Sequence, residues 1–147
     1  MGFLIVATLS AGFFAGAAIY ITAVEHPARL SCGTELAVRE FAPSYKRGTL
    51  MQASLAVVGC LAGLTAAWQR QDPIVFVAVL LLGAVVPFTL IVIFPTNKRL
   101  LDPALDPRGT LASQLLGRWG QLLAVRSLLS TAAFVIFLAR AAAADAV

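Results

Sequence analysis

The chain has 147 residues, of which 60% are hydrophobic and only 12% are charged. Soluble domains carry about 25% charged residues, so the composition excludes an ordinary soluble domain and predicts an integral membrane protein of one domain. The net charge of +4 does not indicate nucleic-acid binding, because the basic residues stand at the ends of apolar runs, where they orient helices and meet lipid headgroups.

Four apolar runs predict four membrane-spanning helices, at about residues 3–24, 48–69, 73–94 and 117–140. At about 1.5 Å per residue, each run is long enough to cross a hydrocarbon core of about 30 Å. The runs do not alternate as the strands of a membrane barrel do. The predicted fold is therefore all-α, a bundle of four transmembrane helices in a single domain.

The loops between these runs carry further signals. In the first loop, residues 32–41 predict a short helix at the membrane interface, which Pro43 should end. The second loop is a tight turn, in which Asp72 is the predicted N-cap of span three. In the third loop, two Asp-Pro pairs within residues 102–107 predict turns, after which a second interfacial helical segment starts near Thr110 and continues into span four.

The positively charged residues are divided unequally between the two ends of the predicted bundle. The end that carries the second loop holds Arg70 and Arg140, whereas the end that carries the first and third loops holds eight basic residues. Cytoplasmic loops carry the excess of Lys and Arg, so we expect a multi-pass protein with both termini on the non-cytoplasmic side. The eight residues are Arg29, Arg39, Lys46, Arg47, Lys98, Arg99, Arg108 and Arg118.

Two pairs of glycines, Gly12/Gly16 in span one and Gly59/Gly63 in span two, are each spaced by about one helical turn. Stripes of small residues let helices approach closely in a membrane. They predict tight packing and are candidate surfaces for a homo-oligomer. The other expected partners are the lipid bilayer and a lipophilic small molecule.

Six polar or amphipathic side chains fall near the ends of the spans on the predicted cytoplasmic side. An ionisable residue inside a span is costly and is a candidate for function. Arg126 needs a partner there, and Glu25 is its predicted counter-ion, because it is the acid at a span end on that side. The six residues are Glu25, His26, Gln52, Asn97, Trp119 and Arg126.

His26 is the only histidine of the chain. Its ordinary pKa of about 6.5 suits a proton carrier beside a carboxylate. One histidine without a second nearby ligand does not predict a metal site. No cofactor is predicted, although a haem with His26 as its single axial ligand stays open. Structural roles also stay open, namely a Glu25–Arg126 pair that fixes helix register and an interhelical hydrogen bond from Gln52.

Four sequence segments together resemble a small family of four-helix membrane proteins that includes the fungal anthrone oxygenases. The resemblance covers nearly the whole chain. The segments are Glu25-His26-Pro27-Ala28-Arg29, then Pro43-Ser44-Tyr45-Lys46-Arg47 followed by Met51-Gln52, then Pro95-Thr96-Asn97, and finally Arg118-Trp119 with Arg126.

This resemblance implies an oxygenase without a cofactor, which deprotonates an electron-rich anthrone and lets the carbanion reduce dioxygen. It implies His26 or Glu25 as the base, Arg126 as the stabiliser of an oxyanion and Asn97 as a hydrogen-bond donor. The expected substrate contacts are Trp119, Gln52, Tyr45 and Tyr20. One departure matters: relatives carry a histidine between the tryptophan and the arginine of span four, where this chain has Leu123. The departure either weakens the oxygenase hypothesis or makes His26 the base.

Two other functions remain as alternatives. A small multidrug-type transporter would use a membrane carboxylate, but such pumps keep it in mid-span, whereas Glu25 stands at a span end. A non-enzymatic scaffold or assembly protein would need only the glycine stripes. The sequence contains no nucleophile elbow and no phosphate-binding loop, so hydrolysis and phosphoryl transfer are not predicted.

Overall fold

The computed structural model of the chain describes residues 1–144, which form helices and turns without a strand. Helices long and apolar enough to span a membrane cover Gly2–Ser31, Thr34–Arg70, Pro73–Leu100 and Thr110–Ala143. The predicted all-α fold with four spans is confirmed. The elements in chain order are α1 (Gly2–Tyr20), a first π-turn (Ile21–Glu25), α2 (His26–Ser31), α3 (Thr34–Arg70), α4 (Pro73–Phe88), a second π-turn (Thr89–Ile93), α5 (Phe94–Leu100) and α6 (Thr110–Ala144).

The four spans form a ring in which each helix packs against two neighbours. α1 packs against α3 and α6, and α4 packs against the same two helices. A turn at Gln71 and Asp72 joins α3 to α4, so these two spans are antiparallel. With four apolar spans in one bundle, the chain is a multi-pass membrane protein.

Asp72 caps α4, as predicted. Its Oδ1 accepts hydrogen bonds from the backbone N–H groups of Ile74 at 3.0 Å and Val75 at 3.3 Å, and its Oδ2 accepts one from Arg140 Nε at 2.8 Å. Burial raises the pKa of Asp72, but these hydrogen bonds together lower it by a larger amount. The pKa therefore lies below its ordinary value. The ionised carboxylate therefore ties α6 to the turn between α3 and α4.

The prediction that Pro43 ends a short interfacial helix is wrong. α3 begins at Thr34 and continues through Pro43 to Arg70. A proline removes the hydrogen bond to the carbonyl four residues earlier, here that of Arg39. Both residues are exposed, so water or headgroups can satisfy that carbonyl. The helix that starts at Thr110 likewise runs into span four without a break, and no separate short helix lies in the third loop.

α3 and α6 are much longer than a membrane requires. With 37 and 35 residues, they extend over about 55 Å and 52 Å, against a hydrocarbon core of about 30 Å. Their excess lengths pack together at one end of the bundle, where Ala37 and Phe41 of α3 share a buried cluster with Leu115 and Leu116 of α6. The two long helices thus build a helical layer beyond the spans.

Buried apolar side chains form two separate clusters. The inner core lies between the four spans and is rich in alanine, with Phe14, Leu82 and Phe137 as its large members. The end core lies where α3, α5 and α6 meet and includes Phe41 and Trp119. Small residues in the inner core let the helices approach closely, while the larger residues of the end core hold the helical layer together.

Spans one and three each contain one π-turn, and in both a proline follows the turn after one residue. The first N–H after each turn bonds to the carbonyl five residues earlier, from His26 to Ile21 and from Phe94 to Thr89. Pro27 and Pro95 cannot donate to the carbonyl four residues before them, and their rings crowd that carbonyl. The wider turn gives the proline ring space, so both spans continue as helices.

The π-turns change which residues face the interior. Buried positions of span one follow the α-helical period up to Ala18, and seven residues later that period would place Glu25 inside. The π-turn takes one additional residue, so His26 is buried in its place. Span three shows the same shift, because Ile93, the last residue of its π-turn, is buried rather than Val92.

Three of the four glycines in the predicted stripes make close contacts within the chain. A Cβ at Gly12 would lie 2.9 Å from the Phe134 ring, and a Cβ at Gly59 would lie 2.8 Å from Leu82 Cδ2. Gly63 is packed as closely, whereas a Cβ at Gly16 would meet no atom within 4 Å. Packing inside the bundle uses three of these glycines, and a homo-oligomer stays a prediction.

The substitution Gly63→Ala is expected to destabilise the bundle. The added Cβ would lie 2.7 Å from Val79 Cγ2 and 3.0 Å from Phe137 Cζ, and valine has little rotamer freedom in a helix. Overpacking costs about 1 to 3 kcal/mol, measurable as a lower midpoint of thermal unfolding in detergent. In the matched control Gly16→Ala, the midpoint should stay or rise slightly. Equal losses in the two variants would contradict the packing described.

Candidate functional site

A cavity of about 160 Å³ lies at the junction of the two cores. Its inner wall includes Phe14, Ala56 and Val85 of the inner core, and its outer wall includes Phe41 and Trp119 of the end core. Most of its lining is apolar. An apolar cavity of about 150 Å³ accommodates one benzene ring, so a larger aromatic ligand would extend through the opening.

The opening of the cavity lies between α3 and span three. Thr49 and Ala53 line one side, Val86 and Leu90 line the other, and all four are exposed on the outer surface of the bundle. This surface belongs to helices that span the membrane. We therefore expect the cavity to open at the side of the bundle, towards the hydrocarbon.

Arg126 of α6 brings a cation to this apolar cavity. Its Nη2 donates a hydrogen bond to Oε1 of Gln52, and its Cζ lies 5.0 Å from the ring centroid of Phe14. Its Nε is buried without a partner. No carboxylate lines the cavity among the described residues, so a neutral amide and an aromatic ring are the groups that contact the guanidinium.

Two buried amides also belong to the polar part of the cavity. Gln52 is 4% exposed and Asn97 is 1% exposed, and both line the cavity. Nε2 of Gln52 and Oδ1 of Asn97 are buried and have no hydrogen-bond partner in the described part of the chain. Because unpaired buried polar atoms are unfavourable, a ligand that accepts from Gln52 and Arg126 and donates to Asn97 would satisfy all of them.

The predicted Glu25–Arg126 ion pair is wrong. Glu25 is instead the partner of Arg29, whose Nη2 donates to Oε1 of Glu25, and Nε of Arg29 lies against the carboxylate of Glu40. The first π-turn explains the difference, because it rotates Glu25 out of the inward position that the α-helical period predicts. Glu25 faces a depression on the outer surface, and Tyr20 lies beside it there, outside the cavity lining.

His26 lies behind the cavity wall. Its ring packs edge to face on Trp119, with 5.1 Å between centroids, and its Nε2 lies only 2.6 Å from where a Cβ of Gly120 would be. Both ring nitrogens are buried, and neither makes a hydrogen bond of ordinary geometry with the residues that the structure describes. His26 therefore supports Trp119 from behind and does not line the cavity.

Trp119 is held on several sides. Besides His26, its ring contacts Phe41 edge to face at 5.1 Å and lies 5.6 Å from Cζ of Arg29. Tyr45 stacks on Phe41 at 5.6 Å and lines the cavity beside it. Leu123, at the position where the resemblance places a histidine, also lines the cavity, which makes this wall more apolar.

The structure thus brings five of the eight predicted site residues to one cavity and leaves three outside its lining. His26 is in contact with the wall, whereas Glu25 and Tyr20 face the outer depression. Within residues 1–144, no three His, Cys, Asp or Glu side chains are grouped to hold a metal ion. The five residues in the cavity are Gln52, Tyr45, Asn97, Trp119 and Arg126.

Sequence reasoning missed two residues of this region, Arg29 and Ser44, which both line the cavity. The side chain of Arg29 is 4% exposed, although it carries a charge. Its spacing of four residues from Glu25 is the usual spacing of an ion pair on one helix, and this signal could have identified it. Nothing in the sequence distinguishes Ser44 from other serines at a membrane surface.

Comparison with known proteins agrees with the resemblance noted in the sequence. The profile of the family described as anthrone oxygenase matches residues 41–136. The anthrone oxygenase tpcL of Aspergillus fumigatus is 34% identical over 133 aligned positions, with 83% of this chain and 82% of that protein covered. No solved structure matches the chain significantly. Taken with the four-helix fold, these matches show that the chain belongs to the anthrone oxygenase family.

Proposed function

We propose that the chain is an oxygenase that converts a lipophilic hydroxylated anthrone to the corresponding anthraquinone, with dioxygen as the oxidant and without a bound cofactor. The observation that carries this proposal is Arg126, a cation in an apolar cavity that no acid lines within residues 1–144. Such a cation favours a bound anion strongly. The family match and the named activity of the fungal relative favour an anthrone as the source of that anion.

The reaction needs an anion and dioxygen. The methylene carbon of the anthrone loses a proton, and the electron pair stays on the ring system as a carbanion whose charge is shared with the carbonyl oxygen. The carbanion reduces dioxygen, a carbon–oxygen bond forms, and the peroxide takes up a proton. Loss of water then leaves a second carbonyl, so one anthrone and one dioxygen give one anthraquinone and one water.

The cavity contains the kinds of side chain that this reaction requires. Arg126 stabilises the negative charge that develops on the carbonyl oxygen, and preorganised charge of this kind is often the largest contribution to catalysis. Asn97 and Gln52 offer amide groups to the hydroxyl and carbonyl oxygens of the ligand. Trp119 and Phe41 form an aromatic wall for the rings, and the membrane-facing opening admits a lipophilic substrate.

The substitution Arg126→Met is expected to slow turnover strongly while the fold remains. Removal of one group that stabilises an oxyanion lowers kcat by about 10² to 10³-fold. The cost of an unpaired arginine inside a membrane helix is removed, which offsets the loss of the hydrogen bond to Gln52, so the midpoint of thermal unfolding should change little. Oxygen uptake with a dihydroxyanthrone in detergent, in the presence of a chelator, measures the rate.

The matched control for this test is Arg118→Met. Arg118 lies on the same helix but is exposed and outside the cavity lining, so oxygen uptake should match that of the wild type. Normal turnover in Arg126→Met would contradict the proposed function. Inactivity of the wild-type protein with anthrones would favour a scaffold instead. A multidrug-type transporter is not favoured, because no carboxylate lines the described part of the cavity.

We also propose that the cavity lies at the cytoplasmic end of the bundle, with both termini on the other side. Cavity residues such as Arg29 and Asn97 lie at the end that carries most of the basic residues, and basic residues favour the cytoplasmic side. The exposed Cys32, in the turn between α2 and α3, is a natural reporter of this end.

A membrane-impermeant maleimide should label Cys32 in inside-out vesicles and leave it unlabelled in right-side-out vesicles. Cys60 is half-buried within the span of α3 and should stay unlabelled in both. The matched control is Gln71→Cys in a Cys32→Ser background, because Gln71 is exposed at the opposite end of the bundle. That variant should show the reverse pattern, and labelling of Cys32 from the outside would overturn the orientation.

A further inference from the structure

Ser44 belongs to the wall between the cavity and the outer depression that Glu25 faces. The cavity and the outer depression share three lining residues, Ile21, Ser44 and Gly48. Ser44 is the one among the three with a polar side chain. A proton that leaves the cavity through this wall therefore has the Ser44 hydroxyl as its route.

The Ser44 hydroxyl is already oriented for proton transfer. Its Oγ donates a hydrogen bond to Oε1 of Glu25 at 3.0 Å and accepts one from Nη2 of Arg29 at 3.1 Å. A hydroxyl oxygen has two acceptor sites, so one remains for a group in the cavity. Arg29 holds the hydroxyl in place, and the serine proton points at a carboxylate.

Glu25 can pass a proton on to the surface. Its side chain is 28% exposed, and it faces the outer depression. Arg29 lies between the carboxylates of Glu25 and Glu40, so one positive charge faces two negative charges. Arg29 thus holds the Glu25 carboxylate in place against the Ser44 hydroxyl.

We propose that Ser44 and Glu25 form a proton relay that connects the cavity to the membrane surface. The proposal rests on the oxygenase function proposed above and names the route of its proton. The substrate gives its proton to Oγ of Ser44 as the serine proton passes to Oε1 of Glu25, and the electron pair stays on the substrate anion beside Arg126. The reverse transfer returns the proton to the peroxide before water leaves.

Ser44 is thus a catalytic residue, whereas Glu25 acts through Ser44 and Arg29 positions both. His26 is not on this route, because it does not line the cavity. Because the relay makes the rate dependent on pH, the charged groups around Ser44 and Glu25 influence that dependence. The charged and titratable groups that contact the pair or share its depression are Arg29 of α2, Glu40 and Arg47 of α3, and Tyr20 of α1.

The test compares oxygen uptake across the pH range in which a dihydroxyanthrone ionises in solution. Below that pH, Ser44→Ala and Glu25→Gln should lower kcat by about 10² to 10⁴-fold, the usual contribution of general acid–base catalysis. Above it, the substrate arrives as its anion, and both variants should approach the wild-type rate. Binding of a hydroxyanthraquinone, the product class, should be unchanged in both.

Two variants serve as matched controls. Ser44→Thr keeps the hydroxyl, so its rate at low pH should exceed that of Ser44→Ala. Glu40→Gln removes the other carboxylate from Arg29 without touching Ser44 and should retain the wild-type rate. The relay is overturned if Ser44→Ala keeps the rate at low pH. It is also overturned if Ser44→Ala and Glu40→Gln lose equal activity at every pH, which indicates a structural role. An inactive wild type contradicts the proposed function, whereas an active wild type with an unaffected Ser44→Ala contradicts the relay alone.

Discussion

The guanidinium of Arg126 is the constraint around which the site is built, because it lies in an apolar cavity where no carboxylate of the described residues neutralises it. An unpaired arginine at the centre of a membrane helix costs roughly 2.5 to 3.5 kcal/mol. Gln52 and the ring of Phe14 offset part of this, but neither carries a negative charge. The acids that could neutralise it, Glu25 and Glu40, are paired with Arg29. The arrangement leaves a positive charge free to meet an anionic ligand.

The shape of the cavity depends on two breaks in helical regularity. Each π-turn stands just before a proline, and each shifts the inward stripe of its span by one residue. The first turn directs Glu25 outwards, where it meets Ser44, and the second brings Asn97 to the cavity wall. Local widening of a helix by a π-turn is common at functional sites. Here it places the Glu25 carboxylate in the outer depression, on the other side of the wall from the cavity that Arg126 lines.

Much of the fold follows from the sequence, because apolar runs and the chemistry of turns are local. The four spans, the cap at Asp72 and the level of the polar groups were all predictable from runs and spacings. The partner of Glu25 was not predictable. The α-helical period, continued past Ala18, places Glu25 on the inward face, whereas the π-turn directs it outwards. The prediction at Pro43 failed for a related reason. The free-energy cost of a proline inside a helix depends on whether the unpaired carbonyl, here that of Arg39, can reach water, which only the packed bundle determines. Ser44 acquires a role through its neighbours alone.

A spectrophotometric titration of a bound hydroxyanthraquinone tests the central claim most directly, because the phenol and the phenolate absorb at different wavelengths. An opposite charge within about 4 to 6 Å lowers the pKa of an acid by about 1 to 3. The ligand bound to the wild-type protein should therefore ionise at a pH lower by about that amount than in empty detergent micelles, and Arg126→Met should remove the difference. A bound ligand that ionises at the micelle value or above it would contradict the account.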